Sequence, residues 1–209
     1  MDKNVFISKH PLVLDKISKL RDKNTSTADF RRGMCEISML LAHDVLSNAR
    51  VKASRVNTPL GSCKAMRLSH DIIFVAILRA GLGMLEGLIK VHPEARLAHI
   101  GIYRDESTLK PVKYYVRLPD KINKSLVVLV DPMLATGGSA AEAVEILKAR
   151  GAKKIIFMGL IGAREGVKRL AAAHPDVPIY IGTVDDRLNN DGYIVPGLGD
   201  AGDRMFGTN

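Results

Sequence analysis

The stretch LVVLVDPMLATGGS, residues 126–139, decides how this chain folds. Leu126, Val127, Val128, Leu129 and Val130 form an unbroken apolar run, the pattern of a strand covered on both faces. The run stops at Asp131 and Pro132. Gly137, Gly138 and Ser139 follow shortly after, and an alanine-rich helical pattern begins. Strand, tight loop and helix N-terminus is the order these residues predict. Such a loop offers unpaired backbone N–H groups at the positive end of a helix dipole, which together favour a phosphate. Asp131, at the carboxyl end of the strand, is suited to grip sugar hydroxyls or a metal ion. The chemistry fits a phosphorylated sugar. The plainer alternative is an ordinary strand-to-helix turn, because Gly and Ser are common turn and capping residues. A Walker A loop is excluded, since no Gly-Lys-Ser or Gly-Lys-Thr closes the segment.

The flanking sequence repeats this alternation. Residues 72–78, 97–103, 155–161 and 179–184 read as strands, and residues 84–91, 140–150 and 165–173 as helices. Strands separated by helix-length patterns imply βαβ units, hence an α/β fold with a central, mostly parallel sheet flanked by helices. Two helical patterns come before them. The first covers residues 11–21. The second opens at Ser26-Thr27-Ala28-Asp29, which resembles a capping box, and carries Phe30, Met34, Ile37, Leu41 and Val45 along one face. Residues 51–67, with Pro59 and Gly61, read as a linker. Residues 108–118 alternate weakly around Pro111 and read as a hairpin or projecting β-arm. The tail, residues 185–209, is rich in Gly, Asp and Asn and poor in helix and strand formers. No internal repeat is evident, and residues 1–209 are expected to form one domain.

Apolar residues make up 46% of the 209, enough for an ordered core rather than disorder. No apolar run approaches the roughly 20 residues needed to span a bilayer, so no membrane role is expected. The first residues lack a secretory apolar segment and a small-residue cleavage site, and a cytoplasmic address is expected. Cys35 and Cys63 lie in unlike contexts and fit reduced thiols; no Cys/His spacing suggests zinc. The net charge of +9 suits nucleic acid, an anionic membrane surface or phosphorylated small molecules. The basic residues are scattered, and there is no Trp to stack bases, which argues against single-strand binding.

In open parallel sheets ligands bind outside the carboxyl ends of the strands. Two other strand ends carry suggestive residues: Arg79-Ala80-Gly81-Leu82-Gly83 and Tyr103-Arg104-Asp105-Glu106. Each has a bland counterpart, Arg79 as a solvated strand end and Arg104 as a surface partner of Asp105 or Glu106. Together with the Asp131 loop they place two guanidiniums and two glycine turns on one rim. That suits a sugar with phosphate at one end and diphosphate at the other. Gly81, Gly83, Gly87 and Asp105 also allow a dinucleotide-binding reading, although the spacing is GxGxxxG rather than GxGxxG.

The segment VDPMLATGGS resembles the ribose-phosphate loop of the type I phosphoribosyltransferases, and the tail YIVPGLGDAGDRMFGT resembles the uracil phosphoribosyltransferase branch. The similarity runs from His10-Pro11-Leu12 through ILRAGLGM and IGIYRDE to the C-terminus. In the broader superfamily two adjacent acids begin the phosphate loop; here Pro132 takes the second place, as in the uracil branch. The resemblance implies a type I phosphoribosyltransferase fold with a base-binding hood formed by the tail. It implies transfer of a phosphoribosyl group from 5-phosphoribosyl 1-diphosphate (PRPP) to uracil, giving UMP and diphosphate, with Mg²⁺ entering through PRPP. Arg79, Arg104, Asp131 and Asp200 are the implied catalytic residues. Arg79, Arg104 and Asp200 would contact PRPP, together with Asp131, Pro132, Met133, Leu134, Ala135, Thr136, Gly137, Gly138 and Ser139. Tyr193, Ile194, Gly199, Asp200 and Ala201 would form the uracil pocket. The resemblance further implies a homodimer or larger homo-oligomer, and in some members activation by GTP. The residue 108–118 arm then reaches a neighbouring subunit or serves as a lid. A regulator that binds RNA on the same fold is the competing class, supported by the net charge.

Overall fold

A computed structural model of the chain describes residues 3–104 and 111–208. In chain order the strands and helices are β1 (Val5–Ile7), α1 (Pro11–Arg21), α2 (Thr27–Leu46), β2 (Val51–Thr58), β3 (Gly61–Leu68), β4 (Ile72–Leu78), α3 (Leu82–Val91), β5 (Arg96–Arg104) and β6 (Pro111–Arg117). They continue with β7 (Leu126–Val130), β8 (Met133–Leu134), α4 (Gly138–Ala149), β9 (Lys154–Ala163), α5 (Arg164–Ala173), β10 (Ile179–Asp185), β11 (Arg187–Leu188), β12 (Ile194–Val195) and α6 (Ala201–Phe206).

The main sheet runs β1-β10-β9-β7-β4-β5-β6, with β8 beside β9, and β6 is antiparallel to β5 where the other pairs are parallel. Strand periodicity divides the core in two. Ile72, Phe74 and Ala76 of β4, with Val128 and Val130 of β7, pack under α1, α2 and α3. Ile73, Val75 and Ile77, with Val127 and Leu129, pack under α4 and α5. Both faces are thus covered, which is why these strands read as continuous apolar runs. The expected face of α2 is buried, and Ser26 caps that helix by accepting the Asp29 N–H at 3.1 Å.

From β4 the chain winds through α3 to β5 on one side, and from β7 through α4 to β9 on the other. The adjacent carboxyl ends of β4 and β7 therefore form the topological switch point, where doubly wound sheets open a crevice.

One expectation changes, and another resolves between its alternatives. Residues 51–67 are no linker: β2 and β3 pair in full antiparallel register from Val51↔Leu68 to Thr58↔Gly61, with Leu60 wholly exposed at the turn. This hairpin is exposed along nearly all its length, so no apolar alternation marks it. Of the hairpin or projecting arm expected at residues 108–118, Pro111–Arg117 forms the edge strand β6, antiparallel to the preceding β5 as in a hairpin, and residues 108–110 lie outside the described residues. The projecting hairpin is β2–β3.

Candidate active site

The loop from Asp131 to Ser139 is shaped by a proline and two glycines. Pro132 has no N–H to continue the β7 ladder. Its carbonyl instead accepts the N–H groups of Leu160 and Ile161 at 3.2 and 3.0 Å, which keeps the chain beside β9 and continues it as β8. Strand alternation then turns Met133 towards the crevice and buries Leu134 in the α4–α5 core. Gly137, just before α4, has φ +74°, a conformation that disfavours any side chain. A Cβ there would also lie 2.6 Å from the Gly166 carbonyl oxygen. Conversely, a Cβ on Gly166 would lie 2.2 Å from the Ala135 carbonyl oxygen. The first turn of α5 therefore presses directly on the loop, backbone to backbone. Thr136 Oγ1 accepts the Gly138 N–H at 3.5 Å, at the entry to α4.

The tail is tied down by arginines. Asp185, at the end of β10, takes a two-pronged ion pair from Arg21 at 2.6 and 2.7 Å, and its carboxylate also accepts the Gly197 N–H at 2.9 Å. Arg21 donates to the Gly197 carbonyl as well, at 2.8 Å. Burial works against ionisation of Asp185, but the hydrogen bonds and charge of Arg21 and the Gly197 N–H hold its carboxyl below the usual range. Further along, Arg204 donates to the carbonyls of Leu20, Leu198 and Asp22 and stacks over Phe30, 4.5 Å from the ring centroid. Ile194, Leu198 and Ala201 bury into the core, so the tail is built structure rather than a loose end. Asp200 caps α6 by accepting the Asp203 N–H at 2.9 Å.

Between the loop and the tail lies a cavity of about 750 Å³. It is lined by Ala80, by Asp131, Met133, Ala135 and Ser139 from the loop, and by Tyr193, Ile194, Gly199, Asp200 and Ala201 from the tail. Asn190, Asp191, Gly192 and Gly202 complete the wall. Two segments some sixty residues apart in sequence thus face one space. Pro132, Leu134, Gly137 and Gly138 are buried behind it. Arg79 adjoins it through Ala80, but its guanidinium lies 3.4 Å from Asp203 and 5.4 Å from the Phe206 ring centroid. Arg104 ends β5, beside β4; residues 105–110, including Asp105 and Glu106, lie outside the described residues.

Burial raises the Asp131 carboxyl to about 7, opposed only by a 3.2 Å hydrogen bond from the Met133 N–H. Hydroxyl donors or a cation beside it would favour its charged form. Among the described residues no three His, Cys, Asp or Glu side chains converge into a metal cage. The glycines of the dinucleotide reading have a packing cause instead: a Cβ on Gly81 would meet the Val130 carbonyl oxygen at 2.8 Å, and one on Gly83 the Met205 sulfur at 2.7 Å.

Gly166, Asp185 and Arg21 escaped the sequence reading, since nothing within one sequence marks a glycine inside a helix or an arginine at a helix end. Asn190, Asp191 and Gly192 carried a turn signal, and Asn189 Oδ1 does accept the N–H groups of Asp191 and Tyr193.

Residues 7–208 match the family model described as uracil phosphoribosyltransferase. The chain is 53% identical over 205 residues to a uracil phosphoribosyltransferase of Dictyoglomus thermophilum, covering 98% of this chain and 99% of that protein. It superposes on the structure of the AQ2163 protein from Aquifex aeolicus with a TM-score of 0.92 at 39% identity, covering 97% of each chain. The adenine phosphoribosyltransferase of Trypanosoma brucei, at TM-score 0.57 and 17% identity over 94% of this chain and 88% of that one, shares the fold. A doubly wound sheet with this loop, this tail and these relatives places the chain in the uracil phosphoribosyltransferase family.

Proposed function

We propose that this protein transfers the 5-phosphoribosyl group of PRPP to N1 of uracil, giving UMP and diphosphate in pyrimidine salvage. The observation that carries the reading is the single cavity shared by the phosphate loop and the tail. In it, backbone amides of Ala135, Thr136, Gly137, Gly138 and Ser139 take the 5-phosphate at the start of α4. Asp131 holds the ribose hydroxyls, and Arg79 and Arg104 hold the diphosphate. The tail reads the base. Uracil presents acceptor O2, donor N3–H and acceptor O4, which a fixed backbone answers with N–H, C=O and N–H. Cytosine's amino group meets a donor there and leaves buried groups unpaired, a mismatch that can cost orders of magnitude.

Uracil N1 bonds to ribose C1 as the bond from C1 to the diphosphate oxygen breaks, with oxocarbenium character between the two. The N1 proton leaves to water, and Asp200 lies on the cavity wall where it can orient that water. Negative charge grows on the departing diphosphate, so the arginines stabilise the transition state more than the ground state. Mg²⁺ bound with PRPP supplies further charge neutralisation. The cytoplasm is the matching location, because the phosphates of PRPP confine it to the cell interior. A homo-oligomeric state and a response to GTP are also part of the proposal, and both rest on the family likeness.

The test is UMP formation from uracil, PRPP and Mg²⁺, with cytosine and orotate as controls. Turnover of uracil alone is expected. Turnover of orotate instead, or a salt-sensitive RNA complex without any UMP, overturns the reading.

A further inference from the structure

The cavity proposed to receive PRPP is lined by Asp131, Asp191 and Asp200 and, among the residues whose side chains are described, by no lysine or arginine. A diphosphate entering that wall meets repulsion until a cation moves in. Arg79 follows Leu78 at the end of β4, and its Nη2 lies at the cavity rim, about 4.0 Å from where a Cβ on Gly202 of the wall would sit. Its Nη2 lies 3.4 Å from Asp203 Oδ1, and its guanidinium sits over Phe206. Asp203 is itself held in place: its Oδ1 accepts the Thr208 hydroxyl at 2.6 Å, and its N–H donates to Asp200. Behind it, α6 is fixed by Arg204 and by Met205 against Gly83.

We propose that Asp203 is a positioning residue that holds Arg79 at the rim of the cavity and yields it to the diphosphate of the substrate. This rests on the reading of the cavity as a PRPP site. The exchange is chemically favourable. Arg79 and Asp203 side chains are 57% and 37% exposed, so water screens the pair and it is weak. A diphosphate offers a guanidinium more charge and more acceptor oxygens than one carboxylate does. Asp203 therefore taxes diphosphate binding, and it keeps the arginine ordered on the rim rather than free in solvent.

Calorimetric titration with inorganic pyrophosphate and Mg²⁺ tests this on the wild type, Asp203→Asn, Asp203→Ser, Arg79→Ala and the Arg79→Ala/Asp203→Asn double variant. Both Asp203 variants are expected to bind pyrophosphate about threefold more tightly, the scale of an exposed ion pair. Asp203→Glu is expected to restore the wild-type value. The gain is expected to vanish in the Arg79→Ala background. In steady state the KM for PRPP falls while kcat does not rise. A structural lesion does not tighten binding, so this readout separates positioning from folding. Unchanged affinity in the Asp203 variants, or an equal gain without Arg79, overturns the proposal while the PRPP site stands, provided that Arg79→Ala weakens binding. If pyrophosphate does not bind the wild type, or binds Arg79→Ala equally well, the PRPP reading fails and takes the proposal with it.

Discussion

The 131–139 loop and the C-terminal tail border the same cavity but are held by opposite means. The loop is fixed by exclusion: Gly137 and Gly166 touch backbone to backbone, and no side chain fits between them. The tail is fixed by attraction, with Arg21 and Arg204 reaching from or onto the α1–α2 corner to grip Asp185 and main-chain carbonyls. Steric exclusion is insensitive to pH and salt and fails abruptly when a methyl group is added. Charge pairing is graded, titrates, and fails badly when one partner is removed.

The largest effect expected from this contrast is at Arg21. Arg21→Met strands the Asp185 carboxylate, 7% exposed, and is expected to lower stability by about 3 kcal/mol. The uracil KM should rise more than the PRPP KM. Because the folded pKa of Asp185 is depressed, its contribution is present above about pH 4 and disappears as pH falls through the folded value. Chemical denaturation from pH 3 to 7 checks this: the acid-side loss of stability should be shallower in the variant, and parallel curves would break the assignment.

Gly166→Ala comes next. Its new Cβ pushes the Ala135 carbonyl and displaces the amides of the loop, with an expected loss of about 100-fold in kcat/KM for PRPP. Overpacking should cost about 1–3 kcal/mol of stability. Kinetics at wild-type level would show that the glycine contact does not shape the loop.

The smallest effect belongs to Asp131. Its folded pKa of about 7 exceeds the usual unfolded carboxyl value of about 4, so between these values the unfolded chain releases its proton first. Stability therefore falls as pH rises from about 4 to about 7. Asp131→Asn removes that slope and should gain Tm relative to the wild type on going from pH 5 to pH 8. A constant Tm difference would contradict the raised value.

The same contrast explains what the sequence made legible. Helix α1 matches its pattern residue for residue, because a Pro start and a basic end frame one amphipathic stretch. Strands β4 and β7 were visible because covering both faces of a parallel sheet demands unbroken apolar runs. The loop showed itself because Gly137, Gly138 and Ser139 stand together between an apolar run and a helical pattern. The hairpin β2–β3 was missed because neither of its faces is buried, leaving alternation without a cause. β1 is only three residues long and pairs with a strand some 170 positions away. The devices that hold the tail were invisible for a related reason: they join residues 21 and 185, or 20 and 204, and long-range pairs leave no local pattern.

The sheet position of β1 carries a consequence for how the protein is made. Val5, Phe6 and Ile7 pair with Ile179, Tyr180 and Ile181, and β10 is the strand that β1 joins. The carbonyls of Leu20 and Asp22 wait for Arg204. On the ribosome, β1 must therefore wait for its partner strand until some 170 further residues have been made. Nascent chains halted before β10 have the 131–139 loop but neither the strand that β1 pairs with nor the tail that walls the cavity.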